Sequence, residues 1–166
     1  GRLLEAGKPP VTDKVKGMDR ETVIRELRLE PLPQEGGMFR RKFKDENSSS
    51  IYFLLEADSP SMLHRLPGPE IFHFYAGAPV RIHILGPDAG DARQPMLGIN
   101  LQEGERPQIL VPGGTWQAAE TTGDWSLVGT TMSPAFDWDR FKLARRERLL
   151  QGWPEQREVI ERHTPA

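Results

Sequence analysis

The chain has 166 residues, with 22 basic and 24 acidic side chains and no cysteine. That length fits one domain with a core of its own, and the near-balanced charge leaves no footprint for nucleic acid or an anionic membrane. Without thiols there are no disulfides and no thiolate chemistry, and no apolar run approaches the roughly 20 residues of a membrane span. A soluble, intracellular, cytoplasmic protein is the expectation.

Residues 1–17 are polar and rich in Gly, Pro and Lys, and read as an arm preceding a single domain at 18–166, with its core at about 20–150. Asp19 is placed to cap a helix over 19–29, with Val23, Ile24 and Leu27 as its apolar stripe and Pro31 as its stop. Beyond Gly36-Gly37 the texture changes. Short runs rich in Ile, Val, Phe, Tyr and Thr fall at 38–44, 50–56, 61–66, 70–76, 79–85, 108–111, 115–119 and 125–132, with Gly, Pro, Asp and Asn between them. That spacing predicts an all-β antiparallel sandwich or barrel rather than βαβ units. Residues 145–150 and 155–163 read as short C-terminal helices, set to cover a sheet edge or a neighbouring subunit.

Two segments, 64–77 (HRLPGPEIFHFYAG) and 112–117 (PGGTWQ), each have the form of a turn feeding a strand with a polar group aimed inward. Alternation along a strand puts Met62, His64 and Leu66 on one face, Glu70, Phe72 and Phe74 on another, and Thr115, Gln117 and Ala119 on a third. If these faces look inward, His64, Glu70 and Gln117 become the polar floor of a cup walled by Met62, Phe72, Phe74 and Leu66, the usual make-up of a small-ligand pocket. A buried Glu70 then needs a partner, for which His64 and Gln117 are the candidates. In the competing reading Glu70 caps a turn or pairs with Arg65 at the surface. His73 falls opposite Glu70 unless a bulge turns it inward. His83 shares a polar face with Arg81, and His163 carries no signal. Tyr52 is either a phenolic donor into the barrel or a packed strand residue.

The same residues resemble a known family. His64, Glu70 and Gly77 fall on the first His, the Glu and the last Gly of the first cupin motif, and Pro112, Gly114 and Gln117 fit the second, with Gln in place of His. The blocks LEPLPQEGGMFRR, SSIYFLLEA, HRLPGPEIFHFYAG, LGINLQEGERPQILVPGGTWQAAE and SLVGTTMSPAFDWDRFKLA are more specifically similar to the Cupin-5 family of uncharacterised RmlC-like cupins. The resemblance implies a double-stranded β-helix, the cupin jelly roll, and a homodimer.

The resemblance also marks departures. Metal-dependent cupins bind through three histidines and a glutamate, whereas Leu66 and Gln117 stand at two of the histidine positions here. His64, Glu70 and Gln117 would hold a divalent metal only weakly, because a neutral amide oxygen replaces imidazole poorly, so no cofactor is expected. Three readings follow. The first is a cupin that binds a small-molecule ligand, with Met62, Phe72, Phe74, Gln117 and His73 around it. The second is a metal-independent isomerase or epimerase acting on a sugar or sugar nucleotide, with His64 as base, Glu70 orienting it and Tyr52 as acid. The third, disfavoured by Leu66 and Gln117, is a metal-dependent oxygenase or hydrolase.

Overall fold

The β-rich runs become twelve strands in a computed structural model that describes residues 18–166; the arm expected at 1–17 lies outside the described residues. In chain order they are β1 (Glu30–Pro31), β2 (Met38–Lys44), β3 (Ser49–Glu56), β4 (His64–Arg65), β5 (Glu70–Gly77) and β6 (Val80–Leu85). The second half supplies β7 (Ala92–Arg93), β8 (Met96–Leu97), β9 (Gln108–Val111), β10 (Trp116–Thr121), β11 (Trp125–Met132) and β12 (Lys142–Leu143). Three α-helices flank them: α1 (Arg20–Glu26), α2 (Arg146–Gly152) and α3 (Arg157–Arg162).

Two antiparallel sheets result. One runs β1-β2-β3-β11-β5-β9, the other β12-β4-β10-β6-β7 with β8 also on β6. From β3 to β6, and again from β8 to β12, successive strands alternate between the layers, as in a jelly roll. Phe53, Leu55, Phe72, Val80, Ile82, Ile84 and Val128 fill the space between the sheets.

Helix α1 begins where Asp19 accepts the Thr22 N–H at 2.8 Å, one of the four donors a helix start leaves unpaired. It ends earlier than predicted, at Glu26, because Arg28 takes a left-handed φ of 54° and turns the chain away. Its Val23 packs with Leu54 and Leu127 on the outside of the first sheet. The C-terminal helices cover a face of the sheet rather than its edge: Leu149 of α2 and Ile160 of α3 bury the outer face of the second sheet over Leu63, Leu85 and Ala118. Alternation forces this, since the strand residues between the inward-facing ones are themselves apolar there and need a lid. No helix among the described residues is long and apolar enough to cross a membrane.

Candidate functional site

The turn between β1 and β2 carries a carboxylate into the space between the sheets. Gln34, Gly36 and Gly37 all adopt positive φ (63°, 90° and 75°), which curls the chain tightly around Glu35. The Met62 N–H donates to the Glu35 carbonyl at 2.6 Å and fixes that curl. His64 stands on β4 opposite Gln117 of β10. Glu70 opens β5, between Val111 of β9 and Met132 of β11.

His64 is 1% exposed. Its Nδ1–H donates to the Met62 carbonyl at 2.7 Å, which leaves Nε2 bare in the neutral ring. That nitrogen faces Glu35 Oε1 at 3.4 Å, and the ring stacks on Phe141 with centroids 5.2 Å apart. Burial holds His64 below the ordinary histidine range, against the opposing pulls of the Glu70 charge and the Met62 carbonyl.

Burial also governs the carboxyls, in the other direction. It pushes Glu35 up to about 8. Burial first, then the neighbouring Glu35 charge, push Glu70 up to about 7, against His64, Thr130 and Gln117, which favour the charged form. The Glu35 charge raises Glu70, while burial alone holds Glu35 the higher of the two, so near neutrality Glu35 keeps its proton. Glu35 and His64 therefore meet as a neutral acid and a neutral imidazole. Glu70 Oε1 is sealed from solvent and has no hydrogen-bond partner.

These carboxyls open onto a cavity of about 70 Å³, floored by Glu35, Leu66, Glu70 and Thr130 and walled by Phe39, Ile51, Phe53 and Met132. At about 30 Å³ for each water, that space holds roughly two. Arg41, Phe136 and Trp138 meet it from the solvent side. Phe136, Trp138 and Phe141 pack edge to face, with the Phe136–Trp138 centroids 4.8 Å apart. The segment 133–139, whose place the sequence leaves open, is therefore pocket wall.

The structure redraws the predicted set. Glu70 lines the cavity, whereas His64 and Gln117, expected as part of its floor, are buried beside it and do not line it; Arg65 lies over the Trp116 ring instead of pairing with Glu70. Phe72 and Phe74 belong to the packed core below the cavity, and Met62 does not line it. Alternation fixes the face a side chain takes but not its depth along the barrel. Tyr52 packs on the outer face of the first sheet with Tyr75 at 6.1 Å and cannot serve as an acid in the cup. His73 also stays outside, bonding Thr131 Oγ1 at 2.9 Å; the bulge in that strand pair lies at Leu127/Val128, past His73, and does not turn it. Glu35 is the residue the sequence reading missed. Its only signal is an acid inside a QEGG turn, and turns have no period from which to read a facing.

The donor chemistry of the cup does not fit the three-histidine metal centre of metal-dependent cupins. Leu66, 3% exposed, is a wall of hydrocarbon where an imidazole would be, and Gln117 faces Glu70. Among the described residues, the group of His and Glu side chains that brings its ligand atoms within 4.8 Å of one another is His83, Glu120 and His163, outside the cup. His64, Glu35 and Glu70 do not converge to that degree.

Comparison with known structures agrees with this architecture. A protein of Shewanella oneidensis is 35% identical with a TM-score of 0.82, over 88% of this chain and 97% of that one. A hypothetical protein of Leishmania major is 27% identical with a TM-score of 0.80, over 89% and 99%. Oxalate decarboxylase of Bacillus subtilis, a protein with Mn(II) centres, shares the fold alone: 14% identity and a TM-score of 0.56 over 81% of this chain and 37% of that one. No curated protein matches the chain. The chain belongs to the Cupin-5 family of the cupin superfamily (DUF985), whose sequence pattern it matches over residues 21–144.

Proposed function

We propose that the cup binds a small metabolite whose oxygen-bearing end seats against Glu70 and Glu35 and whose apolar part lies along Phe39, Ile51 and Met132. The observation that carries this reading is Glu70, which lines the cavity and whose Oε1 is buried without a partner. An unpaired buried oxygen costs about 1–3 kcal/mol, and a ligand hydroxyl or amine supplies the missing donor. Glu35, protonated near neutrality, supplies a donor to a ligand carbonyl. A volume of about 70 Å³ takes a hydroxy acid or the end of a sugar, and a nucleotide would have to lie outside, along Arg41.

A screen of hydroxy acids, polyols and sugars by thermal shift, followed by calorimetry, tests this. Glu70→Gln should weaken the best ligand at least tenfold, and Ile51→Trp, which fills the cup, should abolish binding. Equal affinity in both variants would place the ligand elsewhere.

The acid–base version of the same site has its own support: two carboxyls near neutral pKa beside a neutral imidazole are suited to moving a proton next to a carbonyl. Here Glu70 or Glu35 makes the transfer and His64, behind Glu35, accepts or returns the proton. Solvent deuterium entering a bound sugar or keto acid in the wild type, but not in a Glu70→Gln protein that still binds it, distinguishes turnover from recognition.

A further inference from the structure

Outside the barrel, where α3 closes over the second sheet, a second group of buried titratable side chains has no role in the cup. His83 on β6 and Glu120 on β10 point outward from neighbouring strands, and His163 follows α3 directly. All three are at most 9% exposed, and His163 is fully buried. The His163 Nδ1–H donates to the Ser61 carbonyl at 2.7 Å, which fixes the tautomer and leaves Nε2 with a bare lone pair. That nitrogen has no hydrogen-bond partner and points at Glu120 Oε2, 3.4 Å away. His83 Nε2 lies 3.3 Å from Glu120 Oε1, and the two imidazole centroids are 5.1 Å apart.

We propose that His83, Glu120 and His163 form a divalent-metal site, suited to Zn²⁺, that pins the C-terminal helix α3 to the second sheet. Two imidazole nitrogens and one carboxylate oxygen are a donor set zinc takes with a fourth position open to water. Bonds of about 2.0 Å in a tetrahedron separate the ligand atoms by roughly 3.3 Å. Here His83 Nε2 is 3.3 Å from Oε1 and His163 Nε2 is 3.4 Å from Oε2 of the one carboxylate. One donor atom from each of the three residues lies within 4.8 Å of the others, so a small closure about an ion brings them to that spacing. A bare imidazole nitrogen facing a carboxylate oxygen with nothing between them is repulsive, and a cation removes the repulsion. The Ser61 carbonyl behind His163 is the outer-shell partner that orients a ligating imidazole. Solvent reaches the group through an open depression bordered by Gln94, Glu158 and Arg162, which gives both an entry path and a water for the fourth position.

Two arginines oppose the ion. Arg162 donates to Glu120 Oε2 at 2.8 Å, and Arg81 lies 3.4 Å from Oε1. The Arg162 side chain is 62% exposed, so it can swing into solvent when a metal takes its oxygen. The arginine sets the affinity and does not block the site.

The test uses full-length protein stripped with chelator, titrated with Zn²⁺ against a chromophoric competitor, and in parallel with Co²⁺. One tight equivalent is expected, with the intense visible bands of four-coordinate Co(II) and a rise in melting temperature. His64→Ala and Glu70→Gln in the cup should keep that equivalent. His83→Gln and Glu120→Gln should weaken it at least tenfold, and Arg162→Gln, which leaves all three ligands in place, should tighten it several-fold. No tight equivalent in the wild type, or one lost in the cup variants and kept in His83→Gln, overturns the proposal.

Discussion

Between pH 4.5 and 8, Glu35→Gln should gain several kcal/mol of stability over the wild type, because the buried carboxyl costs the wild type that much across this range. An exposed glutamate titrates near 4.5; burial holds Glu35 near 8 in the fold. Below pH 4.5 both folded and unfolded chains carry the proton and the residue has no effect on stability. Between 4.5 and 8 the unfolded chain gives up a proton that the folded chain keeps. Stability then falls by about 1.36 kcal/mol per pH unit and levels off above the folded pKa. The full shift corresponds to about 5 kcal/mol, but the Glu35 side chain is 13% exposed, and water at that edge reduces the cost to about 3–4 kcal/mol.

Glutamine is nearly isosteric and ionises in neither state. Glu35→Gln should therefore match the wild type within about 1 kcal/mol at pH 4.5 and exceed it by about 3 kcal/mol at pH 8, a rise of roughly 6–12 °C in melting temperature. It also removes the charge that helps raise Glu70, so the remaining pH dependence should shift to lower pH. Thermal unfolding of both proteins across pH 4–9 measures this directly. A difference between variant and wild type that stays flat from pH 4.5 to 8 would show that Glu35 is hydrated or paired in solution. The difference is the readout because His64, His83 and His163, all held low by burial, stabilise both proteins as the pH rises. The same experiment bears on function, because a ligand that supplies hydrogen bonds to the carboxyls offsets this cost and should stabilise the wild type more at pH 8 than the variant.

How much of this was legible in the sequence differs from element to element. Strands β2 and β11 are predicted with their observed ends: β11 (WSLVGTTM) is rich in β-branched and aromatic residues, whereas β2 (MFRRKFK) has only its two Phe and owes its ends to Gly36-Gly37 before it and Asp45 after it. Period two groups His64 with Leu66 and assigns Gln117 and Glu70 each to one face; that these faces look inward is what the structure adds. Beside them, the predicted strand 61–66 shrinks to β4 because Ser61, Met62 and Leu63 bond to Ala119, Glu35 and His163 in turn, three partners in three different elements. No local pattern encodes such contacts.

His163 shows the same limit. It lies in a charged tail and is buried against Ser61, Leu63, His83 and Glu120, neighbours far from it in the chain. His83 shares a face with Arg81 as predicted, yet it is 4% exposed, since that face is covered by a helix some 75 residues away in the chain. Local propensity locates strands and faces well here; what closes over a face is tertiary.

Replacing Gly113 with Ala should cost about 3 kcal/mol or more, whereas the same change at the adjacent Gly114 should cost about 1. Family resemblance singles out Gly114, yet steric reasoning reverses the ranking. Gly114 has a φ of +79° and nothing within 4 Å of where a Cβ would stand, so alanine there pays only the left-handed backbone penalty of about 1–2 kcal/mol. At Gly113 a Cβ would be driven into the Pro67 carbonyl oxygen and the Gly68 backbone. Both groups belong to the loop that delivers Glu70 to the cavity, and backbone cannot rotate aside as a flexible side chain does. The Gly114 N–H meanwhile donates to the Leu66 carbonyl at 2.8 Å, so the two motif segments are held together back to back at this point. Gly113→Ala should pry them apart, lower the urea midpoint at unchanged slope and weaken any cup ligand at the same time. Gly114→Ala should lower the midpoint slightly and leave binding alone. Equal losses at the two positions would mean that the loop 66–69 yields freely, and Glu70 would then be positioned by β5 alone.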